Sequence, residues 1–390
     1  VPHGKLDHPV RQLAAFEKTA ELKPSESQIL SLTVDFKELG SYLQDKKETI
    51  LEEGNYEFFL GRDCVNVSPI GEVTLGSEVV LSRHKGLNTR PVSFVDLKNE
   101  NKTETGVTDG FQLALDAAVF STEHYNYKAP YPTLNAEEER ILNSLSAEDC
   151  ISLLVGDGLD IMGKPHEYIC PGAVGYTTSG LVKKGVPLLI FSDGPNGLRI
   201  QKRNALKKDR IKAVDPMGEI FSYLPNWLFR IMHADAKKSE LLYQFTTAFP
   251  VGNMAAQTWN SNLLESEGEA VSAEMAKYGI NFWLGPGVNI HRNPLNGRNY
   301  EYYSEDPVLT GKLAAAVTRG VQKRRGTYVT MKHFCCNNQE EQRGFMSSNV
   351  SERAMREIYL KGFELAVKNS RPKGVMTSYN KTNGIYNSNN

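Results

Sequence analysis

From about residue 135 onward, short apolar runs alternate with amphipathic stretches. This alternation restricts the fold more than any other feature of the chain. Residues 187–191 form one apolar run, ending at Ser192-Asp193. Phe282-Trp283-Leu284, residues 328–331 and residues 374–377 form three more. Between them lie stretches with helical spacing over 137–154 and 261–278. A further helix is opened by Asp306-Pro307 and runs through Leu313 and Val317, and another is capped by Ser351 and runs through Ile358, Leu365 and Val367. Asp is a good N-cap, and Pro has its φ preset for the first helical position. Parallel strands need a crossover that a helix supplies, so β–α alternation predicts a mostly parallel sheet with helices packed on it.

The first stretch reads differently. Leu30, Leu32, Val34 and Phe36 alternate with Ser31, Thr33 and Asp35, the period of a half-buried strand. After the turn signal Gly54-Asn55, the residues Tyr56, Phe58 and Leu60 alternate up to Gly61. Short strands with turn signals predict a β-sandwich over 1–77. Residues 78–134 are polar and irregular and read as a linker or docking segment. Residues 135–390 form the β–α part, interrupted at 200–245. That insertion opens with basic residues (Lys202, Arg203, Lys207, Lys208, Arg210) and continues with Phe221, Tyr223, Trp227 and Phe229.

Composition excludes several function classes. Net charge is −1, so no global field favours nucleic acid, and the basic and aromatic blocks of the insertion are separate rather than interleaved. No apolar run reaches the roughly 20 residues that span a bilayer. Five Cys (64, 150, 170, 335, 336), at no repeated spacing, predict buried or reduced thiols rather than a disulfide framework or a zinc site, and hence a cytoplasmic protein. No phosphate loop, nucleophile elbow or metal-binding helix motif occurs, so neither metal nor cofactor is expected.

The polar residues cluster where the strands end. Asp193 follows the first run, Lys332 and His333 the third, and Tyr379 the fourth. In a barrel of parallel strands, the carboxyl ends of strands face one mouth. The residue types suit a sugar: a carboxylate accepts from two adjacent hydroxyls, and Lys332, Arg199, Arg298 and Arg343 donate to hydroxyl oxygens. Aromatic rings stack on a pyranose face. Taken singly, each has a structural reading: Asp193 caps a turn, Arg298 pairs with Glu301 or Glu305, His333 is a core histidine, and Tyr303 and Tyr379 are core.

The motifs themselves resemble glycoside hydrolase family 3. They are Ser192-Asp193-Gly194-Pro195-Asn196-Gly197-Leu198-Arg199, the long run from Gly285-Pro286-Gly287 through Gly297-Arg298-Asn299-Tyr300-Glu301 to Asp306-Pro307, Lys332-His333-Phe334, Asn337-Asn338-Gln339, Arg343, and Thr377-Ser378-Tyr379-Asn380. The opening segments around Gln12–Glu17, Leu22–Ser27 and Glu53–Gly61 resemble the fibronectin-III-like domain of these enzymes. Placed before the barrel, they indicate the domain-inverted type.

The resemblance implies part of a (β/α)8 TIM-type barrel preceded by the β-sandwich. It implies that Asp193, Arg199, Arg298, Lys332, His333, Arg343 and Tyr379 bind the glycone, with a non-proline cis peptide at Lys332-His333. The implied activity is a retaining exo-β-glycosidase, foremost a β-glucosidase acting on β-glucosides or short oligosaccharides and releasing glucose. Alternatives are a catalytically silent sugar-binding relative and a β-xylosidase or other family 3 glycosidase. No Ser/Thr-Asp-Trp motif follows Tyr379, so the nucleophilic Asp is expected after Asn390 and the acid/base Glu in another domain. The chain therefore reads as an internal fragment, inactive alone, whose expected partners are the remaining segments of the same enzyme and further copies of itself, with no role for nucleic acid or membrane.

Overall fold

The computed structural model describes residues 1–2, 4–87, 110–125, 132–156, 170–176, 178–207, 210–215 and 239–390, with isolated positions 225, 227–228, 235 and 237. The first part is a two-sheet β-sandwich. Its strands are β1 (Ser41–Leu43), β2 (Glu48–Leu51), β3 (Gly54–Gly61), β4 (Val67–Leu75), β5 (Val79–Arg83), β6 (Phe111–Leu115) and β7 (Glu123–His124). One sheet has the order β1-β2-β5-β7, the other β3-β4-β6. Leu39, Leu51, Tyr56, Val73, Leu75, Val79 and Leu81 fill the space between them.

Two sequence expectations change here. Residues 30–35 form no ladder, and Phe36 opens a 3-10 turn, Phe36–Leu39, capped by the Asp35 side chain. The alternation is nonetheless used, since Val34 and Phe36 pack against the sandwich core without pairing as a strand. The segment read as a linker, 78–134, instead supplies β5, β6 and β7. β6 and β7 pair parallel with β4 and β5. Such pairing across long sequence gaps leaves no hairpin signal, and the β6 side chains are largely exposed, so no alternation marks it.

The second part carries a sheet of order β16-β14-β13-β9-β8. Its members are β8 (Gly175–Tyr176), β9 (Ile190–Ser192), β13 (Phe282–Trp283), β14 (Tyr328–Phe334) and β16 (Gly374–Thr377). β9, β13, β14 and β16 run parallel, and β8 pairs antiparallel at the edge. The insertion forms its own antiparallel sheet of β10 (Arg203–Lys207), β11 (Arg210–Ala213) and β12 (Glu240–Tyr243). Its Phe221, Tyr223 and Phe229 lie outside the described residues. Three two-residue strands, β15 (Ser347–Ser348), β17 (Lys381–Thr382) and β18 (Ile385–Tyr386), form one small sheet that ties the segment after Tyr379 back to 347–348.

The expected helix over 137–154 is two helices, α1 (Ala136–Ser144) and α2 (Ala147–Val155), because Ser146 starts a second capping box with Asp149. After α3 (Gly252–Ala256) come α4 (Ser261–Lys277), α5 (Pro307–Gln322) and α6 (Lys361–Ser370). Asp306 accepts from the amides of Val308 and Leu309 at the start of α5. The helix expected after Ser351 reaches α6 through a π turn at Met355–Tyr359. α4 and α5 approach closely at two glycines: a Cβ on Gly268 would lie 2.3 Å from the Val317 carbonyl, and one on Gly320 2.0 Å from that of Glu265. Leu313, Ala314, Ala316 and Val317 of α5 are fully buried against the sheet.

The sandwich docks on the 352–361 region through charged groups. The Tyr42 hydroxyl donates to Glu352 (2.6 Å) and the Tyr42 amide to Glu357 (2.6 Å), while the Arg356 guanidinium lies 4.7 Å from the centre of the Tyr42 ring. Arg353 donates to the Asp7 carbonyl (2.6 Å), and Lys361 pairs with Glu38.

Candidate active site

The site is built at the carboxyl ends of the parallel strands. β9 ends at Ser192, and the chain turns sharply through Gly194 and Gly197. The Arg199 amide donates to the Asp193 carbonyl (2.8 Å). Gly194 has φ +119°, and a Cβ there would sit 2.0 Å from the Gly197 carbonyl, so only glycine makes this turn. The turn leaves the Asp193 carboxylate pointing across to β14. Beneath it, the indole of Trp283, 1% exposed, donates to the Gly194 carbonyl (2.6 Å).

The long motif 285–306 folds back onto β14. Val288 donates to the Lys332 carbonyl (2.7 Å) and the Lys332 amide to that of Pro286 (3.0 Å). This lays Gly287 against Tyr302, where a Cβ would come within 2.8 Å of the ring. A 3-10 turn at Asn299–Glu301 then places Arg298 and Glu301 side by side. The peptides Gly285-Pro286, Lys332-His333 and Phe334-Cys335 are cis.

Charges alternate through this region. Arg199 pairs with Asp193 (2.6 Å), Asp193 with Lys332 (3.1 Å), and Lys332 with Glu301 (3.6 Å). Glu301 pairs with Arg298, Arg298 with Glu340 (3.9 Å), and Glu340 with Arg343 (2.8 Å). The Arg343 guanidinium lies 5.1 Å from the centre of the Tyr379 ring. The structure thus brings Asp193, Arg199, Arg298, Lys332, Arg343 and Tyr379 into one contiguous group drawn from β9, β14, β16 and two loops. Tyr379 is 62% exposed, so its core reading is excluded and its ring is open to a ligand.

His333 sits one step deeper. Its amide donates to Asn289 Oδ1 (2.9 Å), and Asn289 Nδ2 donates to its carbonyl (3.0 Å). Its Nδ1 contacts the Tyr302 hydroxyl (3.1 Å), which also accepts from Asn337 (3.0 Å). Burial, with the positive charges of Arg298, Lys332 and Arg343 adding to it, pushes the imidazole down to about 2, so the ring is neutral. Burial by itself would raise the Asp193 carboxyl. Lys332, the Gly194 amide and Arg199 outweigh it and hold the group below the usual carboxylate range.

In the sequence Glu301 reads as a salt-bridge partner of Arg298 and as a carboxylate that matches no catalytic position of the family, and no local pattern marks Asn289, Tyr302 or Trp283 as site residues. Asn289 and Tyr302 lie inside the long motif, but their register is set by pairing of that loop with β14, which no local pattern announces. A wide surface opening, about 3100 Å³, lies elsewhere, lined by Leu32, Phe58 and Phe111 of the sandwich and by Lys361 of α6. None of the candidate residues lines it; convergent charged groups at strand ends outweigh its size. Among the described residues no cluster of three or more His, Cys, Asp or Glu could hold a metal ion.

Comparison with known proteins bears on the family and the fold. Residues 230–389 match the Glycosyl hydrolase family 3 N terminal domain, and residues 1–64 the Fibronectin type III-like domain. A solved β-glucosidase from Paenibacillus barengoltzii is 30% identical, with a TM-score of 0.74 over 99% of this chain and 40% of its own. Residues 230–389 thus carry a glycoside hydrolase family 3 domain. Within the family, a β-glucosidase of Ruminococcus albus is 33% identical over 99% of this chain and 38% of its own length. β-Glucosidase 3B of Thermotoga neapolitana, solved in complex with α-D-glucose, is 43% identical, with a TM-score of 0.52 over 64% of this chain and 30% of its own. The chain spans about two fifths of the length of the curated family 3 relatives that it matches from end to end (38% and 45%).

Proposed function

We propose that this chain supplies the glycone pocket, the −1 subsite, of a retaining exo-β-glucosidase that removes terminal non-reducing β-D-glucosyl residues. The alternating charged chain at the strand ends carries the reading. It offers carboxylate acceptors and cationic donors side by side, the complement of a ring of hydroxyls. An open Tyr379 ring borders it. Family 3 relatives bearing the name β-glucosidase, and a relative crystallised with glucose, support glucose as the glycone.

In double displacement, one carboxylate attacks the anomeric carbon while a carboxylic acid protonates the departing oxygen; water then cleaves the glycosyl ester. Asp193, Glu301 and Glu340 are each held by a cation, which favours binding and orientation for them over attack. In this reading the neutral His333 contributes a polar group without competing for a proton.

The test is calorimetry of the chain with D-glucose, D-xylose and L-arabinopyranose. The arabinose arm is included because a relative, 34% identical over 56% of this chain, is an exo-α-(1→6)-L-arabinopyranosidase of Bifidobacterium longum. Glucose is expected to bind most tightly, and Asp193→Asn to lose that binding. Tighter binding of xylose or arabinose would reassign the glycone. Absence of binding to all three would remove the pocket.

A further inference from the structure

We infer that Glu301 is a positioning residue for the sugar site, the buried anion that fixes Lys332 and Arg298 relative to one another. The inference rests on the glycone reading above, and it assigns a role to a residue whose side chain is only 1% exposed.

Lys332 and Arg298 arrive by separate routes. Lys332 stands on β14, and Arg298 on the turn of the long loop. Nothing covalent within 30 residues sets the distance between the two cations. Glu301 lies between them with its side chain 1% exposed; one oxygen accepts from Arg298 Nε and the other lies 3.6 Å from Lys332 Nζ. The remaining anions of the group, Asp193 and Glu340, are 24% and 28% exposed and flank it on either side. Removing the Glu301 charge leaves two neighbouring cations with no anion between them, in surroundings that screen poorly. The group would then separate into an Asp193–Lys332 half and an Arg298–Glu340 half.

The second oxygen of Glu301 adds to the argument. It is buried and carries no hydrogen bond among the described residues. Buried polar atoms in native proteins are generally paired, so a spare acceptor at the foot of a pocket marks a place where donors have room to reorient. Lys332 is the donor within reach. Its ammonium shares Asp193 with whatever hydroxyls occupy the pocket, and Glu301 keeps it anchored while it turns toward them.

The experiment compares Glu301→Gln, which keeps shape and removes charge, with Glu301→Asp, which keeps charge and shortens reach. Glu305→Gln, on an exposed neighbour, serves as control. The first readout needs no sugar: exchange of the Arg298 Nε–H proton followed by NMR. The second is D-glucose affinity by calorimetry. In the order wild type, Glu301→Asp, Glu301→Gln, affinity is expected to fall and the Arg298 Nε–H exchange rate to rise. Glu301→Gln should lose roughly tenfold to hundredfold in affinity, the worth of a hydrogen bond to a charged group, and exchange fastest. Glu305→Gln should match wild type.

Glu301→Gln or Glu301→Asp behaving as wild type in both readouts would overturn the inference. If wild-type protein binds no glucose, the glycone reading fails, while Arg298 Nε–H exchange still decides whether Glu301 holds that side chain.

Discussion

Two of the charged networks among the described residues are similar in size and different in construction. At the interface with the sandwich, Glu352 accepts from the Tyr42 hydroxyl, the Leu87 amide and two nitrogens of Arg356, and Glu357 accepts from the Tyr42 amide and Arg353. Two of its ion pairs are i,i+4 neighbours on one helical segment. At the strand ends the partners come from distant elements, and Glu301 Oε2, Glu340 Oε1 and Asn337 Oδ1 are buried without a hydrogen bond. The joint carries one such oxygen among the described residues, Glu38 Oε2, and Lys361 pairs with it. A nearly saturated network holds two surfaces together, whereas one with three open acceptors, kept in place by its neighbours, has capacity left for a ligand. Unmet polar capacity, more than charge itself, separates the site from the joint.

The sharpest way to break this comparison is Lys332→Met. It strips the shared cation from Asp193 and Glu301, and removing one partner of a buried pair costs about 3–5 kcal/mol. Urea unfolding should show a loss of that order together with no glucose binding; a loss below about 1 kcal/mol would mean that the carboxylates relax apart and the network is not held. Tyr42→Phe tests the joint. Deleting the donor to Glu352 should cost about 1.5–3 kcal/mol, with glucose affinity unchanged. A parallel fall in affinity would show the two networks to be one.

Acid titration sharpens the contrast further. His333 is driven down to about 2 by burial and nearby cations, and burial lowers His84 at the joint and His8 in the sandwich. Each lowered imidazole takes up its proton at a lower pH when folded than when unfolded. Its contribution to stability is therefore complete above about pH 6.5 and is lost as pH falls below that value. For His333 the loss continues down to about pH 2, with a slope of at most about 1.4 kcal/mol per pH unit. His333→Gln should flatten the pH profile of the unfolding midpoint more than His84→Gln does; the reverse order would place the stronger coupling at the joint. The smallest effect is expected for Arg199→Ala. The pair it makes with Asp193 is largely exposed on the Arg side (67%), so stability should move by less than about 1 kcal/mol while glucose affinity falls. Unaltered affinity would remove Arg199 from the site.

Much of the second half was legible because its signals are local. Asp306-Pro307 starts α5, the apolar runs become β9, β13, β14 and β16, and the polar residues after them meet at one mouth. The failures share a cause. Of the alternation at 30–36, Val34 and Phe36 pack without pairing, and β6 pairs without alternation, since both depend on a surface built elsewhere in the chain. Ser146 splits a continuous helical period because a capping box forms at a point that periodicity passes over. Glu301 had the same appearance in sequence as any i,i+3 partner of an arginine. What sets it apart is burial beside Lys332, a contact across 31 positions that only the return of the long loop onto β14 creates.

The hydrogen bond from the Trp283 indole to the Gly194 carbonyl gives the pocket an optical consequence. Of the three tryptophans, Trp227 and Trp259 are 66% and 38% exposed, whereas Trp283 is 1% exposed and touches the turn that carries Asp193. Its emission is therefore expected at shorter wavelength and beyond the reach of an aqueous quencher. A shift in that blue, unquenched component reports events at Asp193 from inside the core, with no label attached.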